Sequence, residues 1–149
     1  MNLDDIDILL LTSLQKDGRM KRSDLAKITD LSVPSVSERL KKLEEQGVIS
    51  GYHAVLNPKK IHWDVTAFIT VTVDNSNHYP QFLQHAKEEA QVLECHSITG
   101  EGSHMLKVRA KNTEHLELLL AKIQSWEGVA STRTRVVMSS AKEGTHIPL

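Results

Sequence analysis

The stretch LSVPSVSERLKKLEEQGVI, Leu31–Ile49, decides how the N-terminal part of the chain folds. Ser32 is an N-cap candidate, and Pro34 falls in the first turn, where a missing N–H costs nothing. Val36, Leu40 and Leu43 recur at helical spacing and form one apolar stripe, and Gly47 can end the helix. Ser35, Glu38, Lys41 and Lys42 point away from that stripe, while Ser37 and Arg39 flank it. Short hydroxyls near a helix start, followed by cations, suit a surface that meets base edges and phosphates.

Upstream, Ile6, Leu9, Leu10 and Leu14 share one helical stripe. Asp4, Asp5 and Asp7 sit at its start, where the helix dipole favours anions, and Lys16 and Gly18 sit at its end, Gly18 as a C′ residue. A second, shorter helix is predicted to be capped by Ser23 and to bury Leu25, Ala26 and Ile28, with a turn around Asp30 and Leu31. Three short helices with a tight turn between the last two make a helix-turn-helix, whose final helix enters the major groove of double-stranded DNA. In that reading Ser35 and Ser37 meet base edges, and Ser32 and Glu38 belong to the same DNA-binding surface. Arg39 reaches guanine or a phosphate, Lys41 and Lys42 meet phosphates, and Lys21 and Arg22 clamp the backbone. The same residue types also fit a plain solvated face with i,i+4 pairs such as Glu38–Lys42. The turn and the two preceding helices favour DNA.

Downstream of Asn57-Pro58-Lys59-Lys60 the period changes. VTAFITVTV, Val65–Val73, alternates strictly and is rich in β-branched residues, so it is a strand. Residues 79–89 read as a helix burying Phe82, Leu83 and Ala86. Strands follow near 92–99 and 104–110, joined by Gly100-Glu101-Gly102-Ser103. HLELLLAKI from His115 is an amphipathic helix using Leu116, Leu119, Leu120 and Ile123, and a last strand lies near 129–138. The order β-α-β-β-α-β is the split βαβ of ferredoxin-like folds, which makes the chain α+β. Two helices cover only one face of such a sheet. Thr66, Phe68 and Thr70 then look outward, with Met105 beside them, as a contact for a second copy.

Composition narrows the function classes. A formal charge of −1 over 149 residues confines any nucleic-acid contact to a local patch. Cys95 is the only cysteine, so there is no intrachain disulfide and no cysteine-rich zinc site. It reads as a small buried hydrophobe. Eight histidines include no HExxH and no i,i+4 pair, although His96 and His104 flank the Gly100 loop on strands that pairing brings near each other. No metal site, cofactor or catalytic residue is expected. The acidic opening MNLDDIDILLL is not a signal peptide, and no apolar run approaches the roughly 20 residues of a membrane span, so a cytoplasmic protein is expected.

Three segments together carry a family resemblance: LDDIDILLLTSLQKDGR, then SDLAKITDLSVPSVSERLKKLEEQGVISGY, then the second half with ITGEGSHMLKVRA and GVASTRTRVVM. Over residues 2–140 the chain resembles the Lrp/AsnC, or feast/famine, transcriptional regulators. The resemblance implies a winged helix-turn-helix DNA-binding domain at 1–50 and a linker strand at 51–62. It further implies an amino-acid-sensing and oligomerisation domain at 63–140 and a tail at 141–149. It also implies dimers, octamers of four dimers, and a small effector, usually an amino acid, bound between dimers near the loop of the second and third strands. Carried onto this chain, the effector site comprises Thr99, Gly100, Glu101, Gly102, Ser103, His104 and Arg135. The family loop commonly reads Thr-Gly-Asp-x-Asp, and Ser103 stands where its second carboxylate normally faces the effector's ammonium. A weak response to ordinary amino acids is expected, unless Glu101 replaces that carboxylate or the ligand is less cationic and meets His104 or Arg135. Sirohaem decarboxylases resemble the same family but carry an Arg-Ile-Gly-like segment after the third helix. This chain has Ser50-Gly51-Tyr52-His53 there, as the regulators do. A DNA-architectural protein of low specificity is the other alternative.

Overall fold

The structure, a computed structural model, describes residues 2–149. The chain divides into two compact units: one carries the residues up to Val55 together with Lys142–Leu149, the other Leu56–Ala141.

In the first unit, α1 (Asp5–Lys16) starts on Asp4, whose carboxylate accepts the Asp7 N–H at 2.8 Å. The Asp7 carboxylate accepts the Asp4 N–H at 3.4 Å, completing a capping box. The helix ends on Asp17 in an extended conformation; Gly18, expected as a C′ residue, does not take a positive φ. The second helix, α2 (Arg22–Thr29), begins earlier than a Ser23 cap would allow. The N–H groups of Asp24 and Leu25 both close on the Lys21 carbonyl, at 2.9 and 3.1 Å, so Ser23 lies inside the first turn. Asp30 takes the left-handed conformation at φ 54°, which lets the Leu31 N–H reach the Ala26 carbonyl at 3.0 Å. Ser32 caps α3 (Val33–Glu45) as predicted, accepting the Ser35 N–H, with Pro34 in the first turn.

The core of this unit is Leu10, Leu11, Leu25, Ala26, Val36, Leu40 and Leu43. Two predicted members are not in it: Leu9 is 39 % and Ile28 44 % exposed. The stripe of α1 runs through Asp7, Leu10 and Leu11 because Asp7 is drawn inward by an ion pair with Arg39. The stripe of α2 runs through Leu25, Ala26 and Thr29, whose hydroxyl donates to the Leu25 carbonyl at 2.8 Å, leaving Ile28 on the rim. The tail forms no strand. Ile147 exchanges two hydrogen bonds with the Gln15 side chain on α1, at 2.7 and 2.9 Å.

The second unit carries β1 (Val65–Val73), α4 (Tyr79–Glu88), β2 (Val92–Ser97), β3 (His104–Ala110), α5 (Thr113–Gln124) and β4 (Val129–Val136). The antiparallel sheet has the order β2-β3-β1-β4. Alternation puts Ala67, Ile69, Val71 and Val73 of β1, and His104, Leu106, Val108 and Ala110 of β3, on the face covered by Phe82 and Ala86 of α4 and Leu116, Leu119 and Ile123 of α5. The order of elements is the predicted ferredoxin-like one. The segment expected as a linker strand is not a strand. Residues 50–57 have no regular structure and a single 3₁₀ turn spans Pro58–Ile61. An isolated extended segment in one chain has no ladder partner for its N–H and C=O groups.

Candidate nucleic-acid interface and effector loop

On α3 the residues opposite the Val36–Leu40–Leu43 stripe are solvated. Pro34, Glu38, Lys41 and Lys42 are exposed, while Ser35 and Ser37 are partly covered. Lys41 lies 3.6 Å from Glu45, in place of the Glu38–Lys42 pair expected from spacing, which leaves the Glu38 carboxylate without an ion pair among the described residues. Lys21 and Arg22, at the start of α2, are exposed too. Ser35 is already engaged: its hydroxyl lies 2.8 Å from that of Ser32, within the cap. An open cleft of about 660 Å³ borders this surface, between the beginning of α1 and α3.

Arg39 is the main departure. The sequence pattern sends it toward guanine or phosphate. Its Nη1 instead donates to Asp4 at 2.7 Å and to Asp7 at 2.8 Å. The side chain flanks the buried stripe on the side where α1 begins, and the capping box presents two carboxylates there. The backbone N–H of Asp7, and then the guanidinium, hold the Asp4 carboxyl below the usual carboxylate range. Arg39 therefore fixes α3 to α1. At the far end of α3, Tyr52 donates to Glu44 at 2.9 Å; burial, then that carboxylate, push the phenol up to about 12.

The candidate effector loop of the second unit is built differently from expectation. Thr99, Gly100 and Glu101 are exposed and Gly102 is half-buried. Gly102 has φ +81°, and a Cβ there would stand 2.5 Å from the Thr70 methyl, so the loop lies directly on β1. Ser103 turns inward. Its hydroxyl donates to the Val71 carbonyl at 3.2 Å and accepts the Val73 N–H at 3.0 Å. It then accepts from Nδ1 of His104 at 2.9 Å, a tautomer assigned by the hydrogen-bond network. His104 is fully buried between the rings of Tyr79 and Phe82, at 4.8 and 4.7 Å, and its Nε2 has no hydrogen-bond partner among the described residues. Burial lowers its pKa below the ordinary histidine range. Neither Ser103 nor His104 is thus presented to an outside ligand, because strand alternation points His104 into the core with Leu106.

The cation beside the loop is Arg133, which pairs with Glu101, and not Arg135. Arg135 stands opposite Phe68 and donates to the Thr70 hydroxyl at 3.4 Å. Both arginines alternate onto the same face of β4, and only the register against β1 tells which one meets the loop. His96 and His104 do not approach as a pair either. His96 stands opposite Met105 and bonds Glu94 at 3.1 Å, on the other face of the sheet from His104. On that open face Phe68 is 37 % exposed and Thr66 and Met105 are half-buried, but Thr70 is already covered. Lys107, Arg109, Arg133 and Arg135 share the face with them. Burial pushes the Cys95 thiol up, which suits a packing role. Among the described residues no group of three His, Cys, Asp or Glu is placed to hold a metal, and no helix is long and apolar enough to cross a membrane.

Comparison with known proteins matches both units. Residues 3–50 match the winged helix-turn-helix DNA-binding domain, and residues 66–147 the Lrp/AsnC ligand binding domain. The chain is 35 % identical to the HTH-type transcriptional regulator FL11 of Pyrococcus furiosus, over 99 % of this chain and 97 % of that protein. Its structure resembles the complex of the transcriptional regulator NMB0573 from Neisseria meningitidis with L-Met. The TM-score is 0.94 at 28 % identity, covering 99 % of this chain and 97 % of that one. It also resembles the feast or famine regulatory protein Rv3291c of M. tuberculosis complexed with L-methionine. There the TM-score is 0.88 at 35 % identity, covering 99 % of this chain and all (100 %) of the other. With a helix-turn-helix in one unit and an Lrp/AsnC ligand binding domain in the other, the chain belongs to the Lrp/AsnC family and is a DNA-binding transcriptional regulator, not an enzyme.

Proposed function

We propose that the protein binds its operators as a dimer, with α3 of each copy in the major groove, and that a small effector at the Thr99–Ser103 loop modulates the assembly. The observation that carries the DNA part is the outward face of α3, where Lys41 and Lys42 stand exposed beside Ser37 and Glu38. Lys42 and Lys41 meet phosphates, Lys21 and Arg22 the backbone across the groove, and the Ser32 and Ser35 hydroxyls stay within the cap. Residues 51–62 act as the connection between the two units. The dimer forms through the open sheet face around Phe68, Thr66 and Met105, whose acids Glu94 and Glu101 offset its cations. Dimers assemble further, up to octamers, as the family resemblance implies.

For the effector, the exposed Glu101–Arg133 pair supports a zwitterion: Glu101 meets an ammonium and Arg133 a carboxylate. An amino acid fits that pattern without the carboxylate that Ser103 replaces. The relatives with bound L-Met support the same class.

Fluorescence anisotropy over a salt series tests the DNA part. Lys42→Ala lowers the slope of log K against log salt by about 0.9 for each phosphate left without its cation, and weakens all sequences alike. An unchanged slope in this variant and in Lys41→Ala would remove α3 from the interface. Calorimetric titration with the twenty amino acids tests the effector. Binding of an amino acid that survives Glu101→Gln at full affinity would contradict the zwitterion reading.

A further inference from the structure

We propose that Glu38 sets the base specificity of α3 by accepting a hydrogen bond from the N4 amino group of one cytosine in each half-site. The inference rests on the reading of α3 as the major-groove helix and goes beyond it by naming the reading group and the base.

Glu38 sits at the centre of the outward face, in line with Pro34 and Lys41, about one turn into the helix. That part of a recognition helix meets base edges. The side chains that compete for this task are occupied. Arg39, the only arginine of α3, spends Nη1 on Asp4 and Asp7. The Ser35 hydroxyl is taken by Ser32. Lys41 leans on Glu45 at 3.6 Å. Glu38 has no hydrogen bond and no ion pair among the described residues, and it is exposed.

An unpaired carboxylate in a groove walled by phosphates is repelled unless it receives N–H groups. A carboxylate only accepts. Guanine presents two acceptors in the major groove and thymine presents O4 beside a methyl group, so both repel it. Adenine offers its N6 donor next to the N7 acceptor. Cytosine offers N4–H₂ with only a C–H beside it on the same base and the paired guanine O6 on its other side alone, whereas adenine N6 has an acceptor on both sides, its own N7 and the paired thymine O4, so cytosine repels a lone carboxylate least. Lys42, alongside on the helix, can hold the phosphate that keeps the carboxylate over that base. A serine at 37 adds a short group of either polarity and does not override this choice.

The test uses the full chain. Duplexes selected from a random library by the wild type are compared with those selected by Glu38→Ala and by Lys42→Ala. Glu38 has no partners to lose, and circular dichroism checks the fold of each variant. The wild type should select one invariant cytosine per half-site, and Glu38→Ala should lose the preference at that base alone. A duplex carrying pyrimidin-2-one there, which lacks the N4 amino group, should bind the wild type about tenfold more weakly and leave Glu38→Ala unaffected. The same base preferences in Glu38→Ala, tighter binding of that variant to every sequence alike, or indifference of the wild type to the missing amino group would each overturn the proposal. An unchanged salt slope in both Lys42→Ala and Lys41→Ala would remove α3 from the groove and overturn the underlying reading with it. A lowered slope with unchanged base preferences in Glu38→Ala would overturn only the role of Glu38.

Discussion

Replacing Ser103 by alanine tests the inward turn of the effector loop. The hydroxyl accepts two hydrogen bonds, from the Val73 N–H at 3.0 Å and from Nδ1 of His104 at 2.9 Å. It donates one, to the Val71 carbonyl, which keeps a second donor in the Ser103 N–H at 2.9 Å. Ser103→Ala therefore orphans two donors and no acceptor. Each buried orphan costs about 1–3 kcal/mol. His104 escapes little by switching tautomer, since Nε2 has no partner to receive the proton's hydrogen bond. Water reaching the half-buried loop relieves part of the loss at Val73, so the expected destabilisation is about 2–4 kcal/mol. Equilibrium unfolding in urea, followed by the fluorescence of Trp126 in the same core, should show the midpoint fall by about 1–2 M. A loss below about 0.5 kcal/mol, the range of an ordinary surface substitution, would refute the placement. So would a rise in amino-acid affinity on Ser103→Asp, which requires residue 103 to face the ligand.

The pKa of His104 lies below the ordinary value, so the unfolded chain takes up a proton that the folded chain refuses. Stability should be complete above about pH 6.5 and fall as the pH drops through the window below it; urea midpoints across pH should flatten in His104→Gln, and an unflattened profile would assign the effect elsewhere. Tyr52, pushed up to about 12, should give a late ultraviolet ionisation step that disappears in Tyr52→Phe. If the step is unaltered, the Glu44 contact is not populated. Phe68→Asp places a charge on the open sheet face and should give monomers in sedimentation at micromolar concentration, together with weakened operator binding. A dimer that survives this change would move the interface to another face.

Periodicity makes the large elements legible. Strict alternation marks Val65–Val73 to the residue, and Ser32 with Pro34 marks the start of α3. What escapes are choices made by one partner far along the chain. Asp7 reads as a dipole-friendly first-turn residue, yet Arg39 pulls it inside and rotates the α1 stripe from Leu9 to Leu11. No local rule pairs residues so distant. Ser103 and His104 enter the effector site through the family resemblance, although the predicted strand already begins at 104; its alternation, carried back from Leu106, turns the His104 ring into the core. The choice between Arg133 and Arg135 depends on strand register, which a two-residue period leaves open.

The hydrogen bonds between Gln15 and Ile147 make the DNA-binding unit discontinuous along the chain. Its first helix is synthesised before the peptide that docks on it, with the whole Leu56–Ala141 unit in between. The three helices must therefore hold together on their own core until residues 142–149 arrive, and a fragment cut after Val55 lacks a piece of its own unit. A label placed within Lys142–Leu149 attaches to the helix-turn-helix unit and not to the Leu56–Ala141 unit. In a fluorescence experiment such a label reports on operator engagement, whereas the second unit has to be labelled within its own residues.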